Sequence, residues 1–272
     1  MMPNMSGYQA CEKLKANSKT EDIPVIIVTA MGDQEDETHG FDVGAVDYIQ
    51  KTVSGPIVLS RVQTNLSLVR SKDLEALVKA SILMLGEAGH YNDTDTDTGE
   101  HIWRMAAYSA AISRAAGWSV HQSEMLELAA AMHDTGKIGI PDEVLKAPRK
   151  LTADEWVIMK SHSQIGYDIL SQSQNTIFLM AAEIALGHHE KWDGSGYPNG
   201  LVGGAIPESA RIVAIADVFD ALTMKRPYKE AWSIEKALDV IEQDAGTHFD
   251  PRLAKLFFEI MPEIIEIKEK WE

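Results

Sequence analysis

His188-His189-Glu190-Lys191-Trp192-Asp193-Gly194-Ser195-Gly196-Tyr197-Pro198 gathers two adjacent imidazoles, carboxylates, glycines and a proline in one short stretch. The run before it, Ala181-Ala182-Glu183-Ile184-Ala185-Leu186, reads as the end of an apolar helix. Neighbouring residues on a helix point about 100° apart. Two adjacent histidines on one helix therefore cannot do the same job. They bind two different ions, or one ligates and the other supports it. Gly194-Ser195-Gly196 frees the backbone for positive φ, and Pro198 stiffens the exit, so the loop suits close backbone approach. A polar turn with two solvated histidines is the bland alternative. A lone His-His pair would favour that alternative, so the rest of the chain has to supply matching ligands.

Composition bounds the answer. The chain has 272 residues, 45% of them hydrophobic, enough for one large or two modest domains with a real core. No apolar run reaches membrane-span length, and Met1-Met2-Pro3-Asn4 does not begin a signal peptide. A single cysteine, Cys11, excludes an intrachain disulfide framework and fits a reducing cytosol, so a cytoplasmic location is expected. The formal net charge of −16 argues against a general nucleic-acid binder, DNA included. It leaves room for a small anionic substrate, because local cations and metal ions can dominate the field at a site.

Pro24-Val25-Ile26-Ile27-Val28-Thr29 and Ala45-Val46-Asp47-Tyr48-Ile49 read as short buried parallel strands. The acidic segment from Asp33 to Phe41 between them reads as a surface helix, giving a βαβα piece. Met1-Met2-Pro3-Asn4-Met5-Ser6-Gly7 resembles the loop after the phosphoacceptor aspartate of response-regulator receiver domains. Thr29 matches that family's switch hydroxyl and Lys51 its phosphate-contacting lysine, with Thr52 where a proline is usual. The resemblance implies a partial α/β, flavodoxin-like receiver over residues 1–70 that begins after the acceptor aspartate and the first strands. Such a segment is expected not to be phosphorylated in the receiver manner, and to leave unpaired strand edges.

Residues 56 to about 88 read as one helix, with a linker over 71–91. Leu59, Val62, Leu66 and Val69 follow a 3-4-3 spacing, extended by Leu74, Leu77 and Val78. A coiled coil making a homodimer and a helix packed on its own domain are both open readings. The acidic stretch from Asn92 to Glu100 lacks EF-hand spacing and reads as a loop. Beyond it the chain reads as all-α.

Asp97 and His101 are four apart and can share a helical face; alone, Asp97 reads as an N-cap. Met132-His133-Asp134-Thr135-Gly136-Lys137-Ile138-Gly139-Ile140-Pro141 ends an apolar helix in His-Asp, with Lys137 placed to hold a phosphate oxygen. Thr152 to Glu155 fits a capping box. Trp156, Met159, Gly166 and Ile169 are expected to mark that helix's inward face, with His162 on or beside it. Ala210 to Leu222 is apolar nearly all round and carries Asp217 and Asp220 on one side. Buried carboxylates are rare unless paired or metal-bound. Arg226 and Lys229 follow, either gripping an anion or closing a solvated helix end; His248 has no partner spacing and reads as structural.

These motifs together resemble the HD-GYP family of bacterial metal-dependent cyclic dinucleotide phosphodiesterases, over roughly residues 92–257. The resemblance implies a mainly α fold, with an HD-type helical phosphohydrolase domain over 92–272 after the receiver fragment and linker. It implies metal ligation by Asp97, His101, His133, Asp134, His162, His188, His189 and Asp217, with Asp134 and Asp217 shared between ions. Asp97 stands where the family commonly has glutamate. Lys137, Asp220, Arg226 and Lys229 match positions near the substrate, with Lys137 and Asp134 catalytic. Imidazoles and carboxylates without thiolates suit iron or manganese, with zinc also open, and so many ligands imply two or three divalent ions. The implied reaction is hydrolysis of cyclic di-GMP to pGpG, with GMP as a further product. The alternatives are a hydrolase for cyclic GMP-AMP and a non-catalytic module that docks GGDEF-type cyclases through the GYP loop.

Overall fold

The computed structural model describes residues 5–29, 34–51, 53–90, 100–224 and 231–271. It divides into two compact units, Met1–Val78 and Lys79–Glu272.

The first unit starts with α1 (Gly7–Lys15), closed at its N-terminus by a capping box between Ser6 and Gln9. Strand β1 (Ile26–Thr29) pairs in parallel with β2 (Asp47–Gln50), Ile27 opposite Tyr48, with α2 (Gln34–Asp42) as the crossover. Cys11, Ile27, Ala45 and Tyr48 form its small core. The expected βαβα order is therefore present. Helix α3 (Gly55–His90) is continuous, as the 56–88 reading required. Residues 71–79 are all exposed, Leu74 and Leu77 included.

The second unit is helical: α4 (Glu100–Ala115), α5 (Val120–Ala130), α6 (Asp142–Leu145), α7 (Ala153–Lys160), α8 (His162–Leu170), α9 (Thr176–Gly187), α10 (Glu208–Thr223), α11 (Ile234–Gln243), α12 (Pro251–Glu259) and α13 (Met261–Lys270). Among its described residues there are only isolated bridges and no strand. Helices α4, α5, α9 and α10 wrap the core, where Tyr108, Met132, Ile184 and Phe219 are fully buried. Both expected features of the Thr152 start and the buried 210–222 helix are seen.

One expectation needs correction. The helix from Thr152 does not run through His162 to Ile169. A turn at Ser161 divides it into α7 and α8. With this break Trp156 is 49% and Ile169 38% exposed, off the supposed inward face. The break also puts His162 at the first position of α8, buried.

A backbone contact positions that end of α8. After α5 the chain makes a 3-10 turn, Thr135–Gly139. A Cβ on Gly136 would collide with the His162 carbonyl oxygen and the Gly166 amide nitrogen. Glycines on both sides let the turn press against α8, which brings Asp134 to His162. Gly136→Ala is therefore expected to cost about 2 kcal/mol or more, a fall of roughly 4–8 °C in the melting temperature. Gly204, with nothing within 4 Å, is the control: Gly204→Ala should melt like the parent. A Gly136→Ala variant that also melts like the parent would remove this contact from the argument.

Candidate metal centre

Three of the expected ligands stand where helices finish. His133 follows the end of α5, His162 follows the end of α7, and His188 caps α9. Each directs Nδ1 to a carbonyl of the preceding last turn. The distances are 3.0 Å from His133 to Ala130, 2.7 Å from His162 to Met159, and 3.0 Å from His188 to Ile184. Each of these carbonyls also accepts a backbone N–H, from His133, Ser161 and His188 respectively, and its second lone pair takes the ring hydrogen. A carbonyl only accepts, so each ring carries its hydrogen on Nδ1 and presents the Nε2 lone pair. The C-terminal ends of α5 and α9 add negative partial charge beside His133 and His188, which favours a cation.

The three Nε2 atoms converge on Asp134. His133 lies 3.3 Å from Oδ2, while His162 and His188 lie 3.4 Å and 3.6 Å from Oδ1. Two atoms bound to one ion at about 2.1 Å sit roughly 3.0–3.4 Å apart. Buried His188 Nε2 has no hydrogen-bond partner, an orphan that a metal ion would satisfy. The residues thus fit a metal. Ligand atoms of Asp134, His162, His188 and His189 lie within 4.8 Å of one another, and so do those of His101, His133 and Asp217. Asp134 turns Oδ1 toward the first group and Oδ2 toward His133 of the second, the geometry of a shared carboxylate.

His188 and His189 fall in the same group, contrary to the helical argument that separated them. The pair straddles the helix end, with His188 as its C-cap, and the two rings lie 3.9 Å apart. Tyr197 stacks on His189 at 4.8 Å, and Lys160 sits 5.0 Å over the Tyr197 ring.

Electrostatics follow from burial and from Asp134. Burial alone would raise the Asp134 carboxyl, but Lys137, 2.8 Å away, and His133 outweigh it and hold it well below the usual range. Burial would lower His133, yet its carboxylate neighbour pulls it up. Burial pushes His162 down to about 4. Burial, reinforced by His188, pushes His189 well below its ordinary value. Neutral imidazoles at His162 and His189 beside an ionised carboxylate are the protonation states that metal ligation needs.

Asp220 is a correction. It was expected to face the substrate, but it is fully buried, bonded to His101 Nδ1 at 2.5 Å and to Arg104. A carboxylate sealed between an imidazole and a guanidinium has no face left for a substrate. Lys137 stays beside the centre through Asp134, and Asp217 lies 3.7 Å from His101 Nε2. Asp97, Arg226 and Lys229 lie outside the described residues. His248 is structural as expected: its carbonyl accepts from Trp192 and its ring stacks on Phe249.

Sequence reasoning passed over two residues. Arg104 is a buried cation three residues after His101; a lone charge among Ile102, Met105, Ala106 and Tyr108 was the available signal. Glu190 is buried and accepts from the Asn199 and Leu201 amides, which ties the loop to the end of α9. Gly196 lies on the Glu190–Lys191 backbone, where a Cβ would not fit.

The HD domain family matches residues 78–253, and the response regulator receiver domain family matches residues 1–63. A probable cyclic di-GMP phosphodiesterase of Vibrio cholerae is 39% identical, over all of this chain and 68% of that protein. The cyclic di-GMP phosphodiesterase response regulator RpfG of Xanthomonas campestris is 40% identical, over 92% of this chain and 71% of its own. A 3'3'-cGAMP-specific phosphodiesterase 2 of Vibrio cholerae is 45% identical, over 63% of this chain and 33% of its own.

The depressed His162 sets a pH dependence for the metal-free protein. Between about 4 and 6.5 the unfolded chain binds the proton that the folded ring refuses. Stability from this ring is complete above pH 6.5 and falls, by about 3 kcal/mol, as pH drops toward 4. Urea unfolding across that window should show a shallower slope in His162→Gln. Equal slopes in the two proteins would contradict the assignment.

Proposed function

This chain belongs to the HD domain family, preceded by a receiver-family segment, and we propose that it is a metal-dependent phosphodiesterase whose substrate is cyclic di-GMP. The observation that carries the reading is the pair of His/Asp groups joined at His133 and Asp134. Seven described ligand positions in groups of four and three suit two ions, with Asp97 available for a third. The hard carboxylates and imidazoles favour Fe(II) or Mn(II) over a thiolate-seeking metal. When bound, such ions supply Lewis acidity toward a phosphoryl group and lower the pKa of water.

The chain's own residues do the rest. The helix-end carbonyls hold the imidazoles in ligand orientation. Lys137, with its side chain 18% exposed, keeps Asp134 ionised and is within reach of an incoming phosphoryl oxygen. Tyr197, stacked on His189 with Lys160 over its ring, places an aromatic edge and a cation beside the centre. Glu190 fixes the loop that carries Tyr197. Arg226 and Lys229 add cations for phosphate. The relatives named for cyclic di-GMP match this chain across the receiver segment and the HD domain together, which favours that substrate. The 45% match to a cGAMP-specific enzyme favours cyclic GMP-AMP as the second reading. The exposed leucines of α3 support pairing of two copies, and the GYP loop remains the surface for a GGDEF-type cyclase.

The test is anaerobic purification, loading with Fe(II) or Mn(II), and chromatography of the products. Conversion of cyclic di-GMP to pGpG or GMP is expected, reduced at least about a hundredfold in His133→Ala and Asp134→Ala. Turnover of cyclic GMP-AMP alone would transfer the assignment to the second reading. Metal-loaded protein that cleaves neither would overturn both.

A further inference from the structure

We propose that Arg104 is a positioning residue for His101, acting through Asp220 to decide which ring nitrogen carries the proton. The inference rests on reading His101, His133 and Asp217 as metal ligands, and is independent of the substrate. Arg104 on α4 and Asp220 on α10 are both fully buried. They make a two-pronged contact: Arg104 Nε donates to Oδ1 at 2.5 Å and a terminal NH2 donates to Oδ2 at 2.9 Å. The same Oδ2 lies 2.5 Å from His101 Nδ1.

The proton's place follows from donor and acceptor capacity. A guanidinium only donates and stays charged, and an ionised carboxylate only accepts. With both oxygens held, Asp220 can receive from His101 but not give to it. His101 Nδ1 is therefore the donor, and its Nε2 turns a lone pair toward Asp217 Oδ1 at 3.7 Å. Helix carbonyls do this job for His133, His162 and His188. At His101, on α4, a side chain from another helix takes the carbonyl's place. Arg104 is what makes Asp220 a fixed acceptor.

This gives an unusual expectation for Asp220→Asn. An amide has one accepting and one donating end. Arg104 donates to both positions, and its shorter contact is on the Oδ1 side, so the amide oxygen takes that side and the amide NH2 faces His101 Nδ1. The ring then accepts at Nδ1 and carries its proton on Nε2, where the ligand lone pair is needed. The same exchange beside a catalytic imidazole in serine proteases lowers kcat by about 10⁴ through the wrong tautomer. Adding Arg104→Met removes the constraint and the buried charge together. The amide is then free to rotate and offer its oxygen to Nδ1. The double variant should restore what the single one lost, an outcome that simple loss of packing does not produce.

The experiment is a histidine-ring ¹H–¹⁵N correlation spectrum of the metal-free full chain at a pH where the rings are neutral. The expected results are Nδ1–H on His101 in the parent, Nε2–H in Asp220→Asn, and Nδ1–H again in Arg104→Met/Asp220→Asn. In parallel, Mn(II) titration read by the electron paramagnetic resonance of free Mn(II) should show one class of site weakened roughly ten- to hundredfold in Asp220→Asn. The class belonging to Asp134, His162, His188 and His189 should be unchanged, and the double variant should recover the other. A parent His101 protonated on Nε2 overturns the proposal even if the single variant does not fold. So does a double variant that keeps the reversed tautomer. Failure to cleave any cyclic dinucleotide would count against the proposed function and leave the tautomer result standing.

Discussion

A buried imidazole has two nitrogens to satisfy, and the centre is organised by how the first one is satisfied. At His133, His162 and His188 a last-turn carbonyl takes the Nδ1 hydrogen. That single bond fixes ring plane, tautomer and direction at once. The Nε2 atoms then meet around Asp134 because three helices end at the same place. Each of those last-turn carbonyls spends one lone pair on a backbone N–H and the other on a ring.

Convergence of this kind concentrates cost as well as function. Four imidazoles and a carboxylate are packed together, most of them buried. The arrangement is tolerated because burial keeps His162 and His189 neutral and Asp134 has Lys137 and His133 beside it. A cation added to this set meets lone pairs and an ionised carboxylate. The same features that disfavour protonation favour a divalent ion. The rim follows the same economy of contacts: buried Glu190 holds two amides of the loop, and Tyr197 is held against His189.

Much of this was legible in the residue pattern. Capping boxes at Ser119–Gln122 and Thr152–Glu155 obey local rules, and the latter was readable as a helix start before any fold was known. The β-branched runs became a parallel pair, and the His-Asp and His-His motifs named four residues that come together with His101, His162 and Asp217. The break at Ser161 was not legible, because α7 and α8 each satisfy helical periodicity across it. Nor was the shared group of His188 and His189, since adjacency in sequence does not state which way two rings at a helix end turn.

The sequence by itself determined which atoms are available: imidazoles and carboxylates without thiolates, glycines at Gly136 and Gly166, and a helix-breaking loop after His189. Those are covalent facts, and local sterics act on them without knowledge of the rest of the chain. Only the tertiary structure decided their roles. Asp220 and Asp217 sit three apart on the same apolar helix, yet one is sealed against Arg104 and the other remains 23% exposed beside His101. Their difference comes from α4 packing across α10, a contact between residues more than a hundred positions apart. A one-dimensional pattern records that two carboxylates share a face. It does not record which of them finds a buried guanidinium, and that neighbour decides which carboxylate supports a ligand and which can be one.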